Sequence, residues 1–295
     1  MQRARAADRH PISGPLERRG TARSARVTGD PPRTLFRFDD EPTAARLVEL
    51  GGAGAGGFFA GGLDDDGPWA VRREPETTLG SVLKREGREP LAWKRAVTIC
   101  LAAAEALAAS EKAGVVLGLF GPDSIALAPG DEGEPERIWV QGEALFDVAI
   151  GIADERTLAA KSAHYCPPTQ AEGAPWDAGA DRYVLGLCLY RALAGSHPFA
   201  GAGLRKALEA AATREPPPFP DAIAGGLPAG LMGLVLRMIA PAEIDRPASA
   251  EAIADALSRF VPKRGAALLP APPRRARTTN DGRRESAAGP APTLV

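Results

Sequence analysis

The chain has 295 residues, 44% of them hydrophobic, so it can bury one large core or two small ones. Its 36 lysines and arginines nearly balance 37 aspartates and glutamates, and the formal net charge of −1 excludes a global field that would attract nucleic acid or acidic substrates. Three scattered cysteines argue against a disulfide framework, and the longest apolar stretches fall short of the roughly 18–20 residues of a membrane span. We therefore expect a soluble cytoplasmic protein with no transmembrane segment and no specific nucleic-acid partner.

The first quarter of the chain has the pattern of a small β-rich unit. Residues 1–11 are expected to be flexible, whereas residues 12–74 contain short strand-like runs separated by turn residues. Residues 42–50 predict a short amphipathic helix that begins at a proline. The Asp-Gly pair at Asp66 and Gly67, between two strand-like runs, predicts a β-hairpin.

Helical patterns dominate residues 75–261. Helices are expected over residues 91–112, 181–194, 203–213, 227–240 and 249–260. The helix over 181–194 is apolar nearly all round, which predicts a central, buried element. The remaining segment, 262–295, is rich in Pro, Ala and Arg and is expected to be disordered. It is either a basic tether to an acidic surface or an arginine-rich linker with no partner.

The order of residues 164–199 is the most informative pattern in the chain. A proline-bearing loop with Pro168 leads to Asp181, then to the apolar helix, to Gly195 and to His-Pro-Phe. This order resembles the large lobe of eukaryotic-like serine/threonine protein kinases of bacteria. The resemblance covers residues 12–261 and implies an α+β, two-lobed protein-kinase-like fold. Residues 12–74 would form the small β-rich N-lobe and residues 75–261 the larger helical C-lobe.

The catalytic loop that the resemblance implies lacks its catalytic side chains. The family has His-Arg-Asp-x-Lys-Pro-x-Asn, where this chain has LGLFGPDS over residues 117–124. Phosphoryl transfer needs a carboxylate at the attacking hydroxyl, a lysine on the moving group and oxygen ligands for magnesium. A later glycine stands where the family has the magnesium-binding Asp of Asp-Phe-Gly. The degenerate positions are Leu119, Gly121, Ser124 and Gly142.

Two acids lie close in sequence to the lost metal ligand, and both remain minor candidates for binding the metal. Glu143 is one residue out of register, and a different alignment brings Asp147 close to the position. Because strand side chains alternate between faces, a slip of one residue turns a carboxylate away from the site. The other reading of both residues is a solvated loop acid.

The positions that hold the nucleotide in the family are also altered. Side chains, including Glu17, stand where the family has phosphate-binding glycines. The strand lysine falls at Phe36 or Arg37, depending on register, and Glu49 is either its helix partner or an exposed glutamate. The resemblance puts Val71 near the gatekeeper position and Arg72 where the hinge carries an acid. The candidate nucleotide contacts are Arg37, Glu49, Val71 and Arg72.

Three residues match structural positions of the family: Asp181, Arg246 and Pro168. The family acid that follows Pro168 and bonds to an arginine is Thr169 here, so Arg246 should have another partner or solvent. The family counterpart of Asp181 braces the catalytic loop from the central helix, and we expect the same structural role here.

These residues predict a pseudokinase, a regulatory or scaffolding protein with protein partners and no expected cofactor. One alternative is a divergent but active serine/threonine kinase, in which Asp147, Asp123 or Arg37 takes over lost roles. The other is a sensor that binds ATP, even weakly, without a metal and changes conformation. The two alternatives differ from the scaffold in predicting that nucleotide stabilises the protein.

Overall fold

The computed structural model describes residues 12–19, 22–27, 33–38, 58–112, 114, 116–118, 120–129, 136–141, 163–199 and 203–261. The expectations for residues 1–11, 42–50 and 262–295 lie outside these ranges. Within them the chain has a β-rich N-terminal part followed by a mainly helical part, as the alternation patterns predict.

A five-stranded antiparallel sheet forms the N-terminal part, in the order β1-β2-β3-β5-β4. Its strands are β1 Ile12–Arg19, β2 Ala22–Val27, β3 Arg33–Phe38, β4 Phe58–Asp64 and β5 Gly67–Arg73. The hairpin predicted from Asp-Gly is the β4–β5 connection, and Gly67 has the positive φ of 105° that favours glycine.

A second antiparallel sheet lies after the first and has the order β6-β7-β8. Its strands are β6 Thr77–Thr78, β7 Ile125–Ala128 and β8 Arg137–Val140. A 3-10 turn over Pro122–Ser124 leads directly into β7. The small sheet therefore joins the end of the first sheet to the loop that the sequence singles out.

Eight α-helices complete the described part of the chain: α1 Leu79–Glu86, α2 Trp93–Lys112, α3 Pro168–Ala171, α4 Ala178–Ala194, α5 Leu204–Thr213, α6 Asp221–Ala224, α7 Leu231–Met238 and α8 Ala250–Leu257. Further 3-10 turns cover Ala163–Tyr165 and Glu243–Asp245. In this described part, none of the helices combines the length and apolar character needed to cross a lipid bilayer.

Local capping explains where the helices begin. The Asp177 side chain accepts a hydrogen bond from the backbone N–H of Ala180, so α4 begins three residues before the predicted start. The helix predicted over residues 249–260 starts where Ser249 caps α8, because the Ser249 hydroxyl accepts a hydrogen bond from the backbone N–H of Ala252. The expectation of a helix from residue 227 is wrong by four residues. Gly230, with φ of 86°, precedes the first turn of α7.

Helix α4 is the centre of the core, as its apolar sequence predicts, and it packs against α2 and α7. It ends at Gly195, which has the left-handed φ of 73°. A Cβ atom there would lie 1.9 Å from the carbonyl oxygen of Arg88, so a larger residue would meet backbone. The backbone N–H of Leu91 donates to Ala192 at 2.8 Å, which holds the start of α2 against the same helix end.

Glu111 joins three helices through one carboxylate. It accepts from Arg182 Nη1 of α4 at 2.7 Å and from the backbone N–H of Ala250, the first residue of α8, at 3.0 Å. Both charged side chains are largely buried, with 14% and 20% of Arg182 and Glu111 exposed. The ion pair is therefore screened less than a surface pair would be.

Replacing Glu111 by alanine is expected to lower the free energy of unfolding by about 1–3 kcal/mol, because a charge-assisted hydrogen bond and a helix cap are lost together. Urea denaturation of the purified variant measures the change. Glu209→Ala, at an exposed position of α5, is the matched control and should change stability little. Equal stability of the two variants would contradict a joining role for Glu111.

Candidate functional site

The carboxylate of Asp181 anchors the loop at residues 116–118. Its Oδ2 accepts a hydrogen bond from the backbone N–H of Leu117 at 2.8 Å, and its Oδ1 accepts from Trp176 Nε1 at 2.8 Å. Asp181 lies in the first turn of α4 and is 3% exposed. Burial raises the pKa of this carboxyl group to about 7, and the hydrogen bonds oppose that shift. The loop backbone is thus held to the central helix.

The next part of the loop is a tight turn in which Ser124 is already engaged. Its backbone N–H donates to the carbonyl of Gly121 at 2.9 Å, and its hydroxyl accepts from the N–H of Gly121 at 3.2 Å. Its carbonyl accepts from the backbone N–H of Gln141 at 2.7 Å. These contacts fix the turn to the end of β8. Gly121 itself presents no side chain to the surroundings.

Asp123, a candidate for a compensating acid, lies on the outside of this turn. Its Oδ1 accepts from the hydroxyl of Thr78, which caps α1, at 3.0 Å. The approach is close, since a Cβ atom on Gly80 would lie 2.0 Å from the same oxygen. The carboxylate therefore contacts the N-terminus of α1.

The register of β3 against β5 puts three of the candidate nucleotide contacts, Arg37, Val71 and Arg72, on two different faces of the sheet. Arg37 pairs with Trp69, and Leu35 pairs with Val71. Paired residues of an antiparallel ladder share a face and successive residues alternate. Arg37 and Val71 consequently lie on one face. Arg72, the neighbour of Val71, lies on the other.

Phe36 and Arg72 meet on the face that joins the main core. Phe36 is fully buried, and it belongs to the same apolar cluster as residues of α1, α2 and α4. The Arg72 guanidinium carbon lies 5.4 Å from the centre of the Phe36 ring. Its Nη2 is 3.3 Å from a carboxylate oxygen of Glu74. An aromatic ring and a paired guanidinium thus occupy this face at the end of β5.

Arg37 is engaged on the opposite face. Its guanidinium forms a two-point ion pair with Asp64 at the end of β4, and Nη1 also donates to the carbonyl of Gly67 at 3.1 Å. Arg37 is 3% exposed and Asp64 is 8% exposed. The structure therefore separates Arg72 from Arg37 and Val71, because one step along a strand reverses the face.

Arg246 contacts groups other than the acid that the resemblance implies as its partner. Its Nε donates to the carbonyl of Ala240 at 2.7 Å and its Nη2 to that of Pro241 at 2.8 Å. Its guanidinium carbon lies 4.5 Å from the ring centre of Tyr183. Burial lowers the pKa of Arg246. Thr169 is exposed, next to the buried Pro168 at the start of α3.

Several predicted positions stay predictions because they lie outside the described residues: Glu49, Leu119, Gly142, Glu143 and Asp147. Across the residues that are described, no group of three or more His, Cys, Asp or Glu side chains is arranged to hold a metal ion.

Two contacts of the site were not anticipated from the sequence. The indole of Trp176 binds Asp181, five residues further on, and this short spacing is the only sequence pattern that could have indicated it. The partner of Arg37 is Asp64, the last residue of β4. That pairing joins residues 27 positions apart, and only the strand register brings them together.

Comparisons with known proteins agree with this geometry. No protein-family model matches the chain. It is 32% identical over 174 residues to the serine/threonine-protein kinase pkn2 of Myxococcus xanthus, covering 57% of this chain and 21% of pkn2. It is 31% identical over 227 residues to Pkn1 of the same organism, covering 77% of this chain and 32% of Pkn1. The chain therefore spans a third or less of the length of these two relatives.

Solved structures support the same fold. The crystal structure of a double mutant of the Mycobacterium tuberculosis PknI kinase domain superimposes with a TM-score of 0.52 at 20% sequence identity. The match covers 85% of this chain and 94% of that domain. The relatives and the solved structure agree: the chain is homologous over three quarters of its length to a bacterial serine/threonine protein kinase, and it has the α+β fold of protein kinase domains.

Proposed function

We propose that this chain is a catalytically inactive member of the family, a cytoplasmic pseudokinase that acts as a regulatory or scaffolding module through protein contacts. The catalytic loop carries the proposal. Its backbone is held by Asp181 at Leu117, yet Leu119 and Gly121 stand where phosphoryl transfer needs a carboxylate and a lysine. A leucine neither accepts a proton nor orients a hydroxyl, and a glycine provides no charge.

The nucleotide side of the site supports the same proposal. Magnesium–ATP is the cofactor that the family implies, and the described residues do not fit it. Phe36 offers an uncharged ring, Arg72 is paired with Glu74, and the guanidinium of Arg37 is bound to Asp64 on the opposite face. A guanidinium also differs in shape from the ammonium that holds phosphates in the family.

A thermal-shift titration with ATP, with and without magnesium or manganese, tests the proposal together with a phosphotransfer assay on a generic protein substrate. We expect no transfer and no rise in the melting temperature, because a ligand raises it only by binding the folded state. An active bacterial kinase domain serves as the positive control. A metal-dependent shift accompanied by transfer would contradict the proposal and favour the divergent kinase. A shift that needs no metal would favour the nucleotide sensor instead.

A further inference from the structure

A groove of about 250 Å³ runs between α2 and α8, away from the loop and sheets of the candidate site. Its lining includes three small side chains, Ala108 and Ala109 of α2 and Ala254 of α8. Among the described residues, three acids and one lysine, Lys112, line it, with Ser258 at one end. The acids are Glu105, Glu251 and Asp255. The alanines leave space between the two helices, and the three acids give the lining a net negative charge.

The two helices run in opposite directions along this groove. Lys112, the last residue of α2, pairs with Glu251 in the first turn of α8 at 2.8 Å. Glu105 lies two turns earlier in α2 and lines the groove together with Asp255 and Ser258. The chain therefore leaves α8, beyond Ser258, at the Glu105 end. Whatever follows residue 261 begins beside the groove.

The segment that follows is strongly basic. Residues 262–295 carry seven lysines and arginines against two acids, and three of the arginines fall within four positions. We propose that the arginine cluster Arg274, Arg275 and Arg277 docks in this groove of its own chain, against Glu105, Glu251 and Asp255. Twelve residues separate Val261 from Arg274, and an extended chain spans at most about 3.3–3.6 Å per residue, so the cluster can reach back over the whole groove.

The acidic lining of the groove and the short tether both favour the arginine cluster as its occupant. Glu251 and Asp255 are exposed, and within the described part of the chain the one cationic residue in the groove lining is Lys112. Arginine is suited to such a site because its planar fork matches carboxylates. Each exposed ion pair contributes little binding energy on its own. Because the arginines are tethered to the same chain, their effective concentration at the groove is in the millimolar range. The contact is sensitive to salt, and it does not depend on whether the chain transfers phosphate.

Paramagnetic relaxation enhancement on the full chain tests the contact. A nitroxide is attached at Ala276→Cys, with Cys166→Ser to remove the partly exposed thiol, since Cys100 and Cys188 are buried. We expect amide signals of residues 105–112 and 251–258 to lose intensity relative to the reduced label. The loss should disappear in Glu251→Gln/Asp255→Asn and at high salt. Glu209→Gln/Glu215→Gln, which neutralises two exposed acids elsewhere, is the matched control and should leave the loss unchanged.

Three results would overturn the proposal. One is no loss of intensity at either helix. Another is a loss that persists in Glu251→Gln/Asp255→Asn, because the contact would then not depend on these carboxylates. The third is a loss that appears only when spin-labelled chain without isotope is mixed with isotope-labelled chain without spin label. That result would assign the groove to a second copy and not to the same chain.

Discussion

Replacing Asp64 by leucine is expected to lower the free energy of unfolding by about 3–5 kcal/mol, because it leaves the buried charge of Arg37 with only a longer, 3.5 Å ion pair to the partly exposed Asp66. Arg37→Leu should also be costly, since it removes the guanidinium that neutralises the buried Asp64 carboxylate. The double variant Arg37→Leu/Asp64→Leu should recover much of the loss. Removing both charges also removes the desolvation penalty of the pair.

A double-mutant cycle by urea denaturation measures this coupling. Asp65→Ala, an exposed acid in the same turn, is the control and should change stability little. Additive effects of the two single variants would show that the ion pair does not hold the β4–β5 hairpin to β3.

The same variants distinguish a structural role of Arg37 from a role in binding nucleotide. If Arg37 served ATP, the double variant would lose stabilisation by ATP that the native chain shows. Under the proposed function, native and double-variant proteins respond to ATP alike, and neither is stabilised. The Arg37 pair then contributes to the N-terminal sheet alone.

The elements that local sequence specifies were predictable. The cap at Ser249, the Asp-Gly hairpin and the glycine that ends α4 each follow from residues within a few positions of one another. The apolar face pattern of α4 indicates its central place without further information. The start of α7 was misplaced because an apolar run masked the break at Gly230.

The site depends on register and on contacts between distant residues, and neither is written in a local pattern. From the sequence, Phe36 and Arg37 are equally plausible at the position of the family's strand lysine. Their pairing with Ala70 and Trp69 decides on which face of the sheet each side chain lies. The family resemblance located the loop and its brace at Asp181, because those positions have a fixed order along the chain. It did not predict which side chains contact these positions in the structure.

Asp181→Ala is expected to lower the free energy of unfolding by about 2–5 kcal/mol, because two donors, the N–H of Leu117 and the indole of Trp176, lose their buried acceptor. Asp181→Asn should cost less, since an amide oxygen can still accept one of the two bonds. Denaturation measures both changes, and hydrogen exchange at Leu117 should rise in the alanine variant. An alanine variant as stable as the native protein would show that the brace contributes nothing to the fold.

The stability difference between the native protein and Asp181→Asn should depend on pH, and this dependence tests the electrostatics of the Asp181 brace. Burial raises the pKa of Asp181 from 3.8 to about 7, so between these pH values the folded state binds more protons than the unfolded state. The contribution of Asp181 to stability is therefore greatest near the lower value, falls as pH rises through this window and stays low above it. Asp181→Asn does not titrate, so the native protein should lose stability relative to this variant between pH 5 and pH 7.5. A difference that stayed constant or grew with pH would mean that the hydrogen bonds from Leu117 and Trp176 outweigh burial and keep the carboxylate ionised throughout.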